Sequence, residues 1–282
     1  LTSTSGVTGD VDKVSNFENI TGGDGNDVLT GNAGANIIHG GAGDDVIDGG
    51  LGNDTLDGGT SGAAGDTVSY ASATLGVTVD LSNAGAQNTV GAGTDTLSGF
   101  ENILGSKVND KLTGDSHDNI IEGGLGDDVL DGGASNADEV TGDTVSYAHA
   151  TAAVTVSLAA QGTQQNTGGA GKDTLSNFEN LTGSGLNDVL TGDAGANILT
   201  GGAGNDTIEG GDGNDTLVGG AGTADLLTYA HAASGVSVDL SNAGSQDTGG
   251  AGSDTISGFE NLTGSNNGDT LKGDSGANVI TG

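Results

Sequence analysis

The chain has 282 residues, of which 58 are Gly, 39 are Asp or Glu and only 5 are Lys or Arg, so its formal net charge is −34. A compact chain this acidic repels itself unless cations neutralise it, and the same excess of acid excludes nucleic acid and anionic membrane surfaces as direct partners. Cys, Pro, Met and Trp are absent, which rules out disulfides and thiolate zinc sites; were such a chain secreted, it would need another staple, and metal is the available one.

Apolar residues make up 32% and aromatics 2% of the chain, too little for a layered core of large side chains. No run approaches the ~18 apolar residues of a membrane helix, so direct membrane insertion is not expected. With Leu at position 1 the chain reads as a processed product or a piece of something longer.

In chain order, the first regular stretch is residues 22–59, where a nine-residue phrase recurs. It runs Gly22-Gly23-Asp24-Gly25-Asn26-Asp27-Val28-Leu29-Thr30, then Gly40-Gly41-Ala42-Gly43-Asp44-Asp45-Val46-Ile47-Asp48, then Gly49-Gly50-Leu51-Gly52-Asn53-Asp54-Thr55-Leu56-Asp57. The same period returns in blocks at 105–133, 183–220 and 264–282. Between the blocks lie wider segments at 60–104, 134–182 and 221–263, and these repeat as well. Asp66-Thr67-Val68-Ser69-Tyr70-Ala71 corresponds to Asp143-Thr144-Val145-Ser146-Tyr147-Ala148 and to Asp225-Leu226-Leu227-Thr228-Tyr229-Ala230. A closing phrase appears as Phe17-Glu18-Asn19, Phe100-Glu101-Asn102, Phe178-Glu179-Asn180 and Phe259-Glu260-Asn261, spaced 83, 78 and 81 residues apart. The nonapeptides therefore sit inside a longer unit of about 80 residues.

Apolar residues do not recur at helical spacing, and Gly interrupts every window, so no helix is expected. Val77 to Leu81 and Val236 to Leu240 alternate apolar and polar residues and read as strands. Within the nonapeptide the middle residue between glycine turns is always aliphatic, for example Ile38, Ile47, Leu56, Leu112, Leu190 and Ile208. With side chains alternating faces, that residue points inward and its neighbours point out. One aliphatic residue cannot form a core alone, so turns must stack. Strand, turn, strand and turn make a coil of 18 residues. The expected fold is all-β, a solenoid of parallel strands running as one continuous array over residues 1–282.

Glycines at positions one, two and four let the backbone turn its carbonyls toward a common point. Carbonyl oxygens plus a carboxylate are the ligand set of a hard cation, and Ca2+ accepts six to eight oxygens with loose geometry. The sixth residue supplies the carboxylate at Asp27, Asp45, Asp54, Asp110, Asp128, Asp188, Asp206, Asp215 and Asp269. Because same-side loops are 18 residues apart, Asp27 should share an ion with Asp45, Asp110 with Asp128 and Asp188 with Asp206. The second phrase of each block carries an amide, at Asn36, Asn119, Asn197 and Asn278. It keeps an oxygen and loses the charge, so sites pairing Asn36 with Asp54 or Asn197 with Asp215 should bind more weakly. Magnesium demands tighter geometry, and zinc and copper lack ligands among four scattered His and no Cys.

These residues resemble the RTX nonapeptide, Gly-Gly-x-Gly-x-Asp-x-aliphatic-x, of hemolysin-type calcium-binding proteins. Phrases such as Thr94-Asp95-Thr96-Leu97-Ser98-Gly99-Phe100-Glu101-Asn102 resemble segments that accompany such repeats in large bacterial exoproteins. The resemblance implies a parallel β-roll with multiple Ca2+ between its loops, export by a type I secretion system and folding outside the cell, hence a secreted, extracellular or cell-surface location. It fixes no single activity, because toxins, proteases, lipases, adhesins and surface-layer proteins all carry such repeats. Departures occur at Gly105-Ser106-Lys107 and Gly183-Ser184-Gly185, which lack the second Gly.

Among the remaining residues, His39, His117, His149 and His231 read as solvated loop residues, since Ser72 stands where His149 and His231 do. Tyr70, Tyr147 and Tyr229 with the four Phe read as core fillers where the coil widens. Glu101, Glu179 and Glu260 read equally as calcium ligands or as partners of backbone at a coil corner, and Asp66, Asp143 and Asp225 as weaker ligand candidates. No catalytic His-Glu-x-x-His or Gly-x-Ser-x-Gly pattern exists, so the chain is not read as an enzyme. The expectation is a calcium-binding structural region of a surface layer, adhesin or extracellular filament, able to self-associate into filaments or sheets and folding on Ca2+ after export. The alternative is the noncatalytic carrier region of a secreted toxin, protease or lipase.

Overall fold

The computed structural model describes residues 17–134 and 141–282. It divides into two compact units, Leu1–Asp143 and Thr144–Gly282. Residues 1–16 of the expected array and 135–140 of the expected wide segment lie outside the described residues. Apart from a 3₁₀ turn at Leu158–Ala160, the regular elements among the described residues are strands, most of them three to six residues long.

In the first unit, strands from alternate phrases stack on two faces. One face carries Asn19–Thr21, Ile37–Ala42, Thr55–Thr60 and Thr94–Ser98, in that order and parallel. The other carries Val28–Asn32, Val46–Gly50, Thr67–Ser69, Asn102–Leu104 and Ile120–Glu122. Val28 pairs with Val46 and Ile37 with Thr55, the expected register of one coil. The glycine pairs let the chain turn and stack at this spacing. Gly41 and Gly43 both have φ of 125°, and a Cβ on Gly43 would come 2.7 Å from the backbone of Gly25 in the loop beneath.

The wide segment departs from the nonapeptide coil by doubling back. Thr78–Asp80 opens a third parallel sheet, continued by Lys111–Thr113 and Val129–Asp131. The chain then returns through an antiparallel pair, Gln87–Asn88 with Thr94–Ser98, and the latter strand stacks on Thr55–Thr60. A single wide segment thus lays one strand on an old sheet and founds a new one.

The second unit is built the same way. Thr144–Ser146, Asn180–Thr182, Ile198–Ala203, Thr216–Ala221 and Gly252–Ser257 form one parallel face. Thr155–Ser157, Val189–Thr191, Thr207–Glu209, Leu226–Thr228, Asn261–Thr263 and Val279–Thr281 form the other. Antiparallel hairpins join Gln164–Asn166 to Lys172–Ser176 and Gln246–Gly249 to Gly252–Ser257.

The core is a file of single aliphatic side chains between the faces. Ile38, Ile47, Leu56, Leu112, Leu190, Leu199, Ile208 and Leu217 are fully buried, each worth about 1.5–3 kcal/mol of burial. Ile280, in an outermost strand, is 41% exposed because one neighbour is missing. In the wide segments Tyr70, Tyr147 and Tyr229 are buried, as are Phe100, Phe178 and Phe259.

Candidate metal centres

Each nonapeptide ends its glycine loop on the sixth residue, two positions before the buried aliphatic. That spacing puts the carboxylate at the rim of the core, under the next loop. The structure links these carboxylates into ladders. Asp45 Oδ1 accepts the backbone N–H of Asp27 at 2.8 Å, and Asp66 Oδ1 accepts that of Asp45 at 2.7 Å. Asp66 in turn donates its N–H to Glu101 Oε2 at 2.8 Å. A second ladder runs from the N–H of Asn36 to Asp54 Oδ1 at 2.8 Å and from the N–H of Asp54 to Asp95 Oδ1 at 3.0 Å. In the second unit the sequence is Asp188 to Asp206, Asp206 to Asp225 and Asp225 to Glu260, with Asn197 to Asp215 and Asp215 to Asp254 alongside. Asp110 donates to Asp128 and Asn119 to Asp143 within the first unit.

One oxygen of each such carboxylate is therefore spent on the loop one coil away. The other has no hydrogen-bond partner in Asp45, Asp54, Asp66, Asp206, Asp215 and Asp225, all of which are buried. Asp269 Oδ2 has none either. These oxygens face further oxygens. A Cβ on Gly40 would collide with both Asp45 Oδ2 and the carbonyl oxygen of Gly58, and a Cβ on Gly201 would collide with Asp206 Oδ2 and the carbonyl oxygen of Gly219. Only glycine leaves that cradle open. Burial pushes Asp54 and Asp206 up to about 6 and Asp215 up to about 7, because a lone buried charge is unfavourable, and neighbouring carboxylates push in the same direction.

Among the described residues no three His, Asp or Glu side chains converge on one point. A cation here would take one or two carboxylate oxygens and complete its shell from backbone carbonyls. That all-oxygen, flexible set fits Ca2+ and gives nothing to a thiophilic or imidazole-seeking metal.

The first phrase of a block differs from the later ones. Asp27 Oδ2 accepts the N–H of Gly23 at 2.7 Å. Where Ser replaces the second Gly, its hydroxyl and N–H both turn onto the carboxylate, Ser106 onto Asp110 and Ser184 onto Asp188. The four amides make a recurring bond of their own. Asn119, Asn197 and Asn278 donate Nδ2 to the carbonyl oxygens of Glu101, Glu179 and Glu260 at 2.8, 2.7 and 2.9 Å, and Asn36 donates to that of Phe17 at 3.2 Å. The Phe-Glu-Asn phrase thus lies one coil upstream of each amide and meets it through its backbone. The amide oxygen of Asn36 accepts the N–H of Asn32 at 2.8 Å and still borders the cradle of Gly31.

Glu101 and Glu260 hold backbone at a coil corner. Asp95, Asp173 and Asp254 belong to the same architecture and lie outside the blocks delimited by sequence. Their signal is present in the sequence, since residues 168–176 and 249–257 are complete nonapeptides and 90–98 lacks only the first Gly. Their second oxygens are occupied. Tyr70, Tyr147 and Tyr229 donate their hydroxyls to Asp95, Asp173 and Asp254 at 3.1, 3.0 and 2.8 Å. The tyrosines read as core fillers are thus also hydrogen-bond donors.

His39, His117 and His231 are at the surface, beside Asp57, Asp115 and Glu209. The Glu209 carboxylate beside His231 raises that imidazole above its ordinary value.

The family model described as RTX calcium-binding nonapeptide repeat (4 copies) matches residues 18–60, 103–136, 182–217, 248–261 and 263–282. Comparison with curated proteins finds none that matches. The matched ranges cover more than half of the chain and contain most of the glycine cradles and ladder carboxylates described above. The chain belongs to the RTX calcium-binding nonapeptide repeat family.

Proposed function

We propose that this chain is a noncatalytic structural shaft of a secreted or cell-surface protein, of the surface-layer, adhesin or extracellular-filament kind, which folds when it meets calcium outside the cell. Its ligands are the sixth-position residues of the nonapeptides, with the amides at Asn36, Asn119, Asn197 and Asn278 as the weaker members. The observation that carries this reading is the set of buried carboxylate oxygens, such as those of Asp45 and Asp206, that face carbonyls and have no hydrogen-bond partner. In a calcium-poor cytosol these charges, with a net −34 overall, oppose folding and keep the chain exportable, as a type I secretion system requires. Millimolar calcium outside couples binding to folding.

The superrepeat of about 80 residues supports a single continuous array over a short carrier block. Electron microscopy of the calcium-bound protein tests this. Fibres or sheets are expected, and discrete unassociated particles would overturn the shaft reading in favour of a carrier region.

A further inference from the structure

We propose that calcium occupancy in this chain follows the second oxygen of each ladder carboxylate rather than the glycine motif. The long loops 58–66 and 219–225 each hold a Ca2+, on Asp66 and Asp225, although both aspartates lie outside the matched repeats. The motif-bearing loops ending at Asp95, Asp173 and Asp254 hold none, although Asp254 lies inside a matched range. The inference rests on the calcium reading above and departs from it in where the ions sit.

Asp66 and Asp225 are fully buried. Each spends Oδ1 on the N–H of the preceding coil's aspartate, at 2.7 and 2.8 Å, and each has Oδ2 without a partner. The backbone N–H groups leading up to each aspartate are already committed. The N–H groups of Asp66 and Asp225 go to Glu101 and Glu260 at 2.8 and 2.9 Å. The extra residues of the long loops are pinned from the loop below, where Asp44 Oδ1 accepts the N–H groups of Ala64 and Gly65 at 3.1 and 3.0 Å and Asn205 Oδ1 those of Thr223 and Ala224, each at 3.1 Å. What remains in the cradle is oxygen facing oxygen. A Cβ on Gly58 would meet Asp66 Oδ2 at 2.8 Å and collide with the carbonyl oxygen of Gly99. A Cβ on Gly222 would meet both carboxylate oxygens of Asp225 at 2.6 Å and collide with the carbonyl oxygen of Gly204. A buried carboxylate oxygen opposed by a carbonyl is costly, and a hard cation between them removes the cost.

The motif-bearing loops are the converse. Beside the tyrosine hydroxyl, each second oxygen faces a threonine hydroxyl, from Thr89, Thr167 and Thr248 at 3.2, 3.2 and 3.4 Å. The fourth-position glycine carbonyl is also used, since Gly93, Gly171 and Gly252 accept from those threonine hydroxyls at 3.1, 3.0 and 2.8 Å. The glycines here serve an antiparallel hairpin turn. Hydroxyl hydrogens do at these three places what an ion does elsewhere, and the column of ions stops against them.

The test is the position and number of bound ions in the whole chain. Crystals grown with calcium should show anomalous density beside Asp66 and Asp225 and none beside Asp95, Asp173 or Asp254. In solution, equilibrium dialysis should show that Asp66→Asn and Asp225→Asn each lose one calcium per chain and that Asp254→Asn loses none. Ions at Asp45 and Asp206 without ions at Asp66 and Asp225, or an ion beside Asp254, would overturn this inference alone. A chain that binds no calcium would overturn the calcium reading itself. Should a variant not fold, the anomalous density of the unaltered chain decides.

Discussion

Chelation of calcium should unfold this protein, and the structure sets the scale. Buried ladder carboxylates with an unsatisfied oxygen include Asp45, Asp54 and Asp66 in the first unit and Asp206, Asp215 and Asp225 in the second. A buried acceptor left unsatisfied costs about 1–3 kcal/mol, more when charged, so six of them cost about 6–18 kcal/mol. A whole domain is stable by about 5–15 kcal/mol. The calcium-free fold is therefore at or below the threshold of stability at neutral pH. Each ion bound only by the folded state adds about 1.4 kcal/mol for every tenfold rise in free calcium above its dissociation constant. Six linked ions make stability change by about 8 kcal/mol per decade. Far-ultraviolet circular dichroism and calorimetry across a buffered calcium series measure both quantities. A β-sheet signal and a melting temperature indifferent to excess chelator would refute the reasoning, because they would mean that the orphaned oxygens are satisfied without an ion.

Acid should partly replace calcium. Asp54 and Asp206 are pushed up to about 6 and Asp215 to about 7. Folded values above the unfolded ones give stability that is fully present below the unfolded carboxylate value and is lost as pH rises through about 4 to 7. In chelator, β content should therefore fall across that window, whereas calcium affinity, which needs ionised carboxylates, should rise across it. Gly40→Ala places a methyl group against Asp45 Oδ2 and the Gly58 carbonyl, so it should remove one calcium per chain by dialysis and lower the melting temperature. Ile208→Ala empties part of a fully buried file and should cost about 2–5 kcal/mol at saturating calcium, read by denaturant midpoint. Tyr229→Phe removes the hydroxyl that donates to Asp254 at 2.8 Å; a cost of about 1–3 kcal/mol, read by denaturant midpoint in chelator, is expected.

Much of the roll is legible locally. The aliphatic residue two positions after each sixth-position carboxylate must point inward, and a period of nine closed by glycine turns leaves 18 residues as the coil, which is the pairing of Val28 with Val46 and Ile198 with Thr216. The placement of Asp45 beneath Asp27 follows from the same count. The wide segments resist this reasoning. Their strands pair at other spacings, Thr55 with Thr96 and Thr78 with Lys111, because a hairpin reverses the chain. Residues 249–257 carry a complete motif that gives no sign of this. Glycine permits a turn but does not set its sense, and whether the loop stacks on a coil or folds into a hairpin depends on which strand lies beneath it.

Sequence by itself determined the repeat family, the coil length and the inward file, since each depends on a pattern repeated every nine residues. Tertiary structure alone decided what meets the second oxygen of each carboxylate. At Asp66 it is the Gly58 cradle bordered by the carbonyl of Gly99, and at Asp95 it is the hydroxyl of Tyr70, 25 residues away in the chain. The same Asp-x-aliphatic signature therefore leaves a carboxylate oxygen without a partner in one loop and hydrogen-bonded to a hydroxyl in another. The chemistry of a buried oxygen is set by its nearest donor, and in a solenoid that donor comes from the neighbouring coil.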